Sequence, residues 1–245
     1  HYNRSKSLER LLTRFQELNC TFAEIVVSDD CSNAAHQERV RELQQRFGFK
    51  YITAEKNRGL GNNINKGQEQ VEASYTLYIQ EDFVPHESFP PILRKSLGII
   101  GSTSFDIIRF YSYGKYPYLK RYDEHFDEML FNFWSPGYVK YYYYSDHPHL
   151  RRTSFPKKFG KYAEGINGDQ MEYRMMMSFL RNKGTGLFYR NFQELFDHYN
   201  DSEEPSLMDQ HNFRKSWRRG NNPVVKVVRD IYRHVKFNYN YLFGY

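Results

Sequence analysis

Helical and strand periodicities alternate along the first hundred residues, and that alternation constrains the fold more than any other feature. Leu8, Leu11, Leu12, Phe15 and Leu18 recur at helical spacing among Glu9, Arg10, Arg14 and Glu17, so residues 5–18 read as an amphipathic helix. Glu24-Ile25-Val26-Val27-Ser28 is a short β-branched run stopped by the turn chemistry of Asp29-Asp30-Cys31-Ser32-Asn33. Residues 34–47 place Val40, Leu43 and Phe47 on one helical face, residues 50–53 form a strand, 59–72 a third helix and 75–80 a further strand, broken at Glu81-Asp82-Phe83-Val84-Pro85. The pattern predicts the α/β class: a Rossmann-like, mostly parallel sheet flanked by helices. Ligands bind beyond the carboxyl ends of strands in such sheets, so Asp29-Asp30 and Glu81-Asp82 are expected to share one crevice.

The texture then changes. Fifteen aromatic residues fall within the 35 positions 110–144, punctuated by Gly114, Pro117, Pro136 and Gly137, which suits irregular strands and loops. Most of these rings belong to a core, and a few are free to stack on sugar CH groups. Residues 161–169 read as a loop, 170–180 as a helix packed through Met171, Met175, Met176 and Met177, 187–190 as a strand, and 197–201 as an acidic loop.

An acidic pair at a strand end is a hard-oxygen site suited to magnesium or manganese held against a diphosphate. Asp and Glu also end strands and cap helices with no ligand involved, and one pair alone does not separate the two readings. Two pairs at equivalent strand ends favour the site. The order Tyr2-Asn3-Arg4-Ser5, EIVVSDDCSN at 24–33, Asn57-Arg58-Gly59-Leu60-Gly61 with Asn65-Lys66-Gly67, and YTLYIQEDFVP at 75–85 resembles the amino-terminal half of a family 2 glycosyltransferase of GT-A fold. The resemblance covers residues 1 to about 100 and the remainder in outline.

The resemblance implies an inverting enzyme that uses a nucleotide-diphosphate sugar and a divalent metal, Mn or Mg, and transfers the sugar to a hydroxyl of a glycan or lipid-linked glycan in polysaccharide biosynthesis. It divides the chain into a GT-A-like domain over 1–210 (1–100 the nucleotide-sugar half, 101–210 the acceptor half) and an extension over 211–245. It assigns the nucleotide sugar to Tyr2, Asn3, Arg4, Asp29, Asp30, Asn57, Asn65, Glu81 and Asp82, and the metal to Asp82 with His198. Asp169 before Gln170-Met171-Glu172 takes the position of the base that deprotonates the acceptor, with Glu164 and Glu172 behind it; Asp169 equally suits a helix N-cap. Three positions depart from the family pattern: Gln80 replaces the first acid of D-x-D, Cys31 the Gly of D-D-G-S, and Ile64 an Arg. The family's first strand precedes the T-Y-N segment and lies outside this sequence. The Gln80 departure motivates a rival reading, a catalytically silent GT-A-like binding module. A second rival is a nucleotidyltransferase on a related sheet, disfavoured because its Gly-rich phosphate loop followed by Arg and Lys is not found near the amino terminus.

Charge is concentrated at the other end. Residues 211–245 hold eight of the 35 basic residues and one of the 29 acids, a net of +7, which leaves −1 for positions 1–210. Val224, Val225, Val227, Val228, Ile231, Val235 and Phe237 interleave with Lys226, Arg229, Arg233 and Lys236, a cationic amphipathic pattern. Two placements are open: the apolar side on an anionic membrane surface, or on the body with the cations in water. No nucleic-acid motif accompanies the charge, so nucleic acid is not expected as a partner. Cys20 and Cys31 form neither a disulfide framework nor a paired zinc motif, and no apolar leader opens the sequence. A cytoplasmic location, peripheral at the inner face of the membrane, is the expectation.

Overall fold

The computed structural model describes residues 1–199, residue 204 and residues 223–244. It begins with α1 (Ser5–Glu17), β1 (Val26–Ser28), α2 (Ala34–Phe47), β2 (Lys50–Ile52), α3 (Leu60–Gln68), β3 (Tyr75–Tyr78), β4 (Phe83–Pro85) and α4 (Phe89–Ser102). Then follow β5 (Ile107–Arg109), β6 (Leu119–Arg121), β7 (Phe126–Met129), β8 (His149–Arg152), α5 (Phe155–Phe159), α6 (Gly168–Arg181), β9 (Gly186–Tyr189), β10 (Phe196–His198) and α7 (Pro223–Phe243). The α/β alternation expected over the first hundred residues is present, and each boundary falls within a few residues of its turn chemistry. Gly48, with φ +68°, ends α2 in the left-handed region that glycine enters freely.

A six-stranded sheet, β3-β8-β5-β9-β7-β6, forms the centre. Its two inner strands show the layering directly. Ile107 and Phe188 point into a cluster with Met171, Met175 and Met176 of α6, whereas Ile108 and Leu187 point into the opposite cluster with Leu11 of α1 and Ile92 and Ile100 of α4. The strand period of two thus puts helices on both faces. Burial of each such side chain contributes about 1.5–3 kcal/mol.

The expected parallel majority is corrected. Among the described residues only β1–β2 and β5–β9 are parallel; β3–β8, β5–β8, β6–β7, β7–β9 and β4–β10 are antiparallel. The cause is the aromatic segment. It leaves β5 without a crossover helix, forms the β6–β7 hairpin, and returns β8 antiparallel between β3 and β5, so no helical connection imposes parallel pairing there. The acidic loop expected from residue 197 is also corrected at its start, because Asp197 and His198 belong to β10, paired with Val84 and Phe83 of β4. Among the described residues, the parallel pair β1–β2 is a separate two-stranded sheet.

α7 packs across the aromatic segment. Phe237 is buried against Tyr138, Tyr141 and Tyr173, and Tyr241 packs on Phe131, Phe133 and Tyr141. Tyr141 donates to Asn238 Oδ1 at 2.6 Å, and Arg233 Nη1 donates to the Tyr138 hydroxyl at 3.0 Å.

Candidate functional site

The crevice centres on the point where β3 ends and β4 begins. Asp82 is buried there, with Oδ2 2.9 Å from Arg4 Nη1 and 3.4 Å from His198 Nε2; the same Arg4 nitrogen lies 3.3 Å from Glu81 Oε1. Burial pushes the Asp82 carboxyl up, but the His198 hydrogen bond and the Arg4 charge outweigh it, and the group settles below its ordinary value. Within this ion-paired cluster, Asp82 Oδ1, an acceptor, and Arg4 Nη2, a donor, are buried with no hydrogen-bond partner among the described residues. Leaving such a group unmet costs about 1–3 kcal/mol, which a cation on the carboxylate oxygen and an anion on the guanidinium would recover.

Arg4 precedes α1, whose N-terminus has no cap from its own neighbourhood. The cap comes from Glu204: its carboxylate accepts from the Lys6 and Ser7 amides at 2.9 Å each and from the Ser7 hydroxyl at 2.8 Å. Its carbonyl accepts from Arg4 Nε at 3.2 Å, so one residue fixes both the helix start and the guanidinium beside Asp82. Nothing in the local sequence signals a cap 198 positions away.

Asp29 and Asp30 are buried but fully engaged. Asp29 accepts from the Ser32 amide and hydroxyl, from Thr53 Oγ1 at 2.8 Å and from the Tyr51 hydroxyl at 3.1 Å. Burial, then the Asp29 charge, push the Tyr51 phenol up to about 12. Asp30 accepts from the amides of Arg58 at 2.9 Å and Gly59 at 2.8 Å, which fastens the Asn57-Arg58-Gly59 turn to β1. Asn3 bonds the same loop through Ser32 and Asn33, and Tyr2 is half-buried beside it. Asn57 accepts from the Gly59 amide, and Asn65 exchanges bonds with the Tyr162 backbone and donates to Glu164 Oε1. α3 approaches that segment so closely that a Cβ on Gly61 would stand 2.3 Å from the Ala163 carbonyl oxygen.

Asp169 lies exposed in the first turn of α6, and the N-cap is Asn167, which accepts from the Gln170 amide at 2.9 Å. Asp169 therefore is not the cap, and it bonds to none of Arg4, Asp82 and His198. Glu164 is tied to Asn65 and Asn62, which lower its carboxyl. Glu172 accepts from the Asp146 amide at 3.1 Å. The Asp146 carboxyl, hydrogen-bonded to Glu172 and to Gln80, is held well above its ordinary value by burial and by the Glu172 charge. The Tyr113 phenol is pushed up to about 12, by burial first and then by Tyr111, Asp82, Asp146 and Glu172. The Tyr113 ring packs edge-on against His147 and His198. Sequence reading missed Asp146 and left Tyr113 undistinguished among its aromatic neighbours; the only sequence trace was Gln80 in place of an acid, which is the residue that bonds Asp146.

Among the described residues no three His, Cys, Asp or Glu side chains converge as a metal cluster. The unspent Asp82 Oδ1 and nearby His198 fit an ion that draws its other ligands from a diphosphate.

Residues 1–162 match the family described as Glycosyl transferase family 2. The chain belongs to glycosyl transferase family 2. Within 89 residues it is 28% identical to poly-beta-1,6-N-acetyl-D-glucosamine synthase of Staphylococcus epidermidis, a match covering 36% of this chain and 22% of that protein. Among solved structures, this family 2 chain resembles S. aureus TarS 1-349 in complex with UDP-GlcNAc, at TM-score 0.60 and 18% identity over 83% of this chain and 58% of that one. It also resembles GalNAc-T7 with UDP, GalNAc and Mn2+, at TM-score 0.50 and 13% identity over 68% and 36%. These likenesses establish the GT-A fold. The chain spans 22% of the length of the curated relative and 58% of the TarS chain.

Proposed function

We propose that the chain transfers a sugar from a uridine diphosphate sugar to a hydroxyl of a glycan or lipid-linked glycan, with inversion at the anomeric carbon. The observation that carries this reading is the unspent pair of Asp82 Oδ1 and Arg4 Nη2 in one buried place. Arg4 Nη2 donates to a diphosphate oxygen. Tyr2 and Asn3 take the nucleoside, and Asp29, Asp30, Asn57 and Asn65 act through the loops they hold. Asp82 and His198, with Glu81 beside them, would hold Mn or Mg, which neutralises charge on the leaving diphosphate. The Asp169 carboxylate accepts the acceptor's hydroxyl proton as that oxygen bonds the anomeric carbon. The opposite carbon–oxygen bond breaks with its electron pair leaving on the nucleoside diphosphate. Exposure of Asp169 in the first turn of α6 suits a group that must meet an incoming acceptor.

The fold family and the UDP-GlcNAc held by TarS make that sugar the first donor to try. Calorimetry of UDP against GDP and dTDP, with and without manganese, is expected to show manganese-dependent binding of UDP. Asp169→Asn is expected to keep that binding and to lower turnover about 10²- to 10⁴-fold. Turnover unchanged in Asp169→Asn removes this residue as the base. Absence of nucleotide binding hands the molecule to the rival reading, a silent binding module, for which the Arg4–Asp82 ion pair would be the resting state.

A further inference from the structure

The register of the central sheet brings three connecting segments to one edge. β3 and β5 both pair antiparallel with β8 and so run in the same direction; His149 at the start of β8 is paired with Tyr78 at the end of β3 and with Arg109 at the end of β5. The chain leaving β3 carries Gln80 and Asp82, the chain leaving β5 carries Tyr113, and the chain entering β8 carries Asp146 and His147. These segments touch. The Tyr113 ring centroid lies 4.6 Å from that of His147 and 5.7 Å from that of His198, edge-on to both, and Gln80 Nε2 donates to Asp146 Oδ2 at 3.3 Å. Tyr113 is nonetheless 64% exposed, so a ring held from its edges keeps most of its surface open beside the His198–Asp82 pair. Trp134 is more exposed, but it packs on Phe133, which stacks on Tyr241 of α7.

Resting on the donor-site reading above, we propose that Tyr113 sets the sugar specificity of the donor site: the CH face of the transferred sugar lies on its ring, and Glu172 and Asp146 take that sugar's hydroxyls. An aromatic ring offers a flat apolar face to sugar CH groups, while carboxyl oxygens accept from hydroxyls, so a ring beside a carboxyl pair meets both sides of a sugar. Position selects the transferred sugar over the acceptor. That sugar is joined directly to the diphosphate, and Tyr113 touches His198, which bonds Asp82, whose buried Oδ1 is still unmet. Glu172 accepts from the Asp146 amide at 3.1 Å and follows Asp169 by three residues on α6, so the carboxyl pair and the proposed base share one helix face. A sugar on Tyr113 therefore has the leaving diphosphate on its Asp82 side and the incoming hydroxyl on its α6 side.

Calorimetry of the 245-residue chain in manganese, with UDP, UDP-GlcNAc, UDP-glucose and UDP-galactose, tests this. UDP carries no sugar and reports the diphosphate and metal contacts alone. Tyr113→Ala is expected to weaken the sugar nucleotide that the wild type binds most tightly by about three- to tenfold, and UDP by less than about twofold. Tyr113→Phe keeps the ring and is expected to bind as the wild type does. Glu172→Gln, with its fold checked by circular dichroism, is expected to weaken that sugar nucleotide about tenfold and to narrow the preference among the three sugars, again with UDP little changed. Equal losses for UDP and the sugar nucleotides in Tyr113→Ala overturn the proposal, because the ring then acts on the metal and diphosphate. Sugar-nucleotide binding unchanged in both Tyr113→Ala and Glu172→Gln overturns it too. Both results, obtained with UDP bound, leave the donor-site reading standing; a wild type that binds no UDP overturns that reading and this proposal together.

Discussion

The two acidic loops look alike in sequence and differ in what the fold leaves them to do. Asp29 receives the hydroxyls of Ser32, Tyr51 and Thr53, and Asp30 receives two backbone amides, so both carboxylates hold chain segments in place. Asp82 receives Arg4 and His198 on one oxygen and nothing on the other. A buried carboxylate whose bonds are all internal stabilises; one with an unmet oxygen gives up stability for a ligand to recover. Strand-end acidity therefore marks a crevice without saying which acid touches the substrate.

The contrast makes opposite forecasts for the two loops. The largest effect belongs to Asp82→Asn, which keeps the side-chain shape and removes the charge: turnover of the donor sugar is expected to fall about 10²- to 10³-fold, with a small change in melting temperature. Steady-state kinetics beside calorimetric melting reads both. Asp29→Ala is expected to reverse the pattern. It strands the amide and hydroxyl of buried Ser32 and should lower stability by about 2–4 kcal/mol in urea unfolding, with donor affinity of the folded fraction nearly retained. A smaller effect of opposite sign is expected at Cys31, which follows these acids with φ +62° where the family pattern has glycine. Cys31→Gly removes a side chain from the left-handed region and should raise stability by about 1 kcal/mol, read from the same unfolding curves. A stability loss in Cys31→Gly would show that the thiol makes contacts that outweigh its backbone strain.

Much of this was legible locally. Helical spacing of Leu8 to Leu18, the β-branched run before Asp29 and the turn residues between them specify elements through interactions a few residues long, and the structure places those elements as expected. The family resemblance carried in residues 1 to about 100 lies within the matched residues 1–162. The antiparallel return of β8 was not legible, because strand direction depends on which loop closes across the sheet. Asp146 was hidden for the same reason: its significance lies in Glu172, 26 positions on, and Gln80, 66 positions back.

The C-terminal helix separates the two kinds of information most clearly. Its composition and periodicity already required an amphipathic helix with an excess of cations, since side-chain spacing along a helix is set by backbone geometry alone. Which face turns to the body depended on the aromatic surface that Tyr138, Tyr141 and Tyr173 assemble from distant segments. That surface takes Phe237 and Tyr241 and offers hydroxyls to Arg233 and Asn238. Val228, Ile231 and Val235 of the same helix are left exposed. A periodic pattern states that two faces differ; only the packed neighbour decides which of them meets solvent.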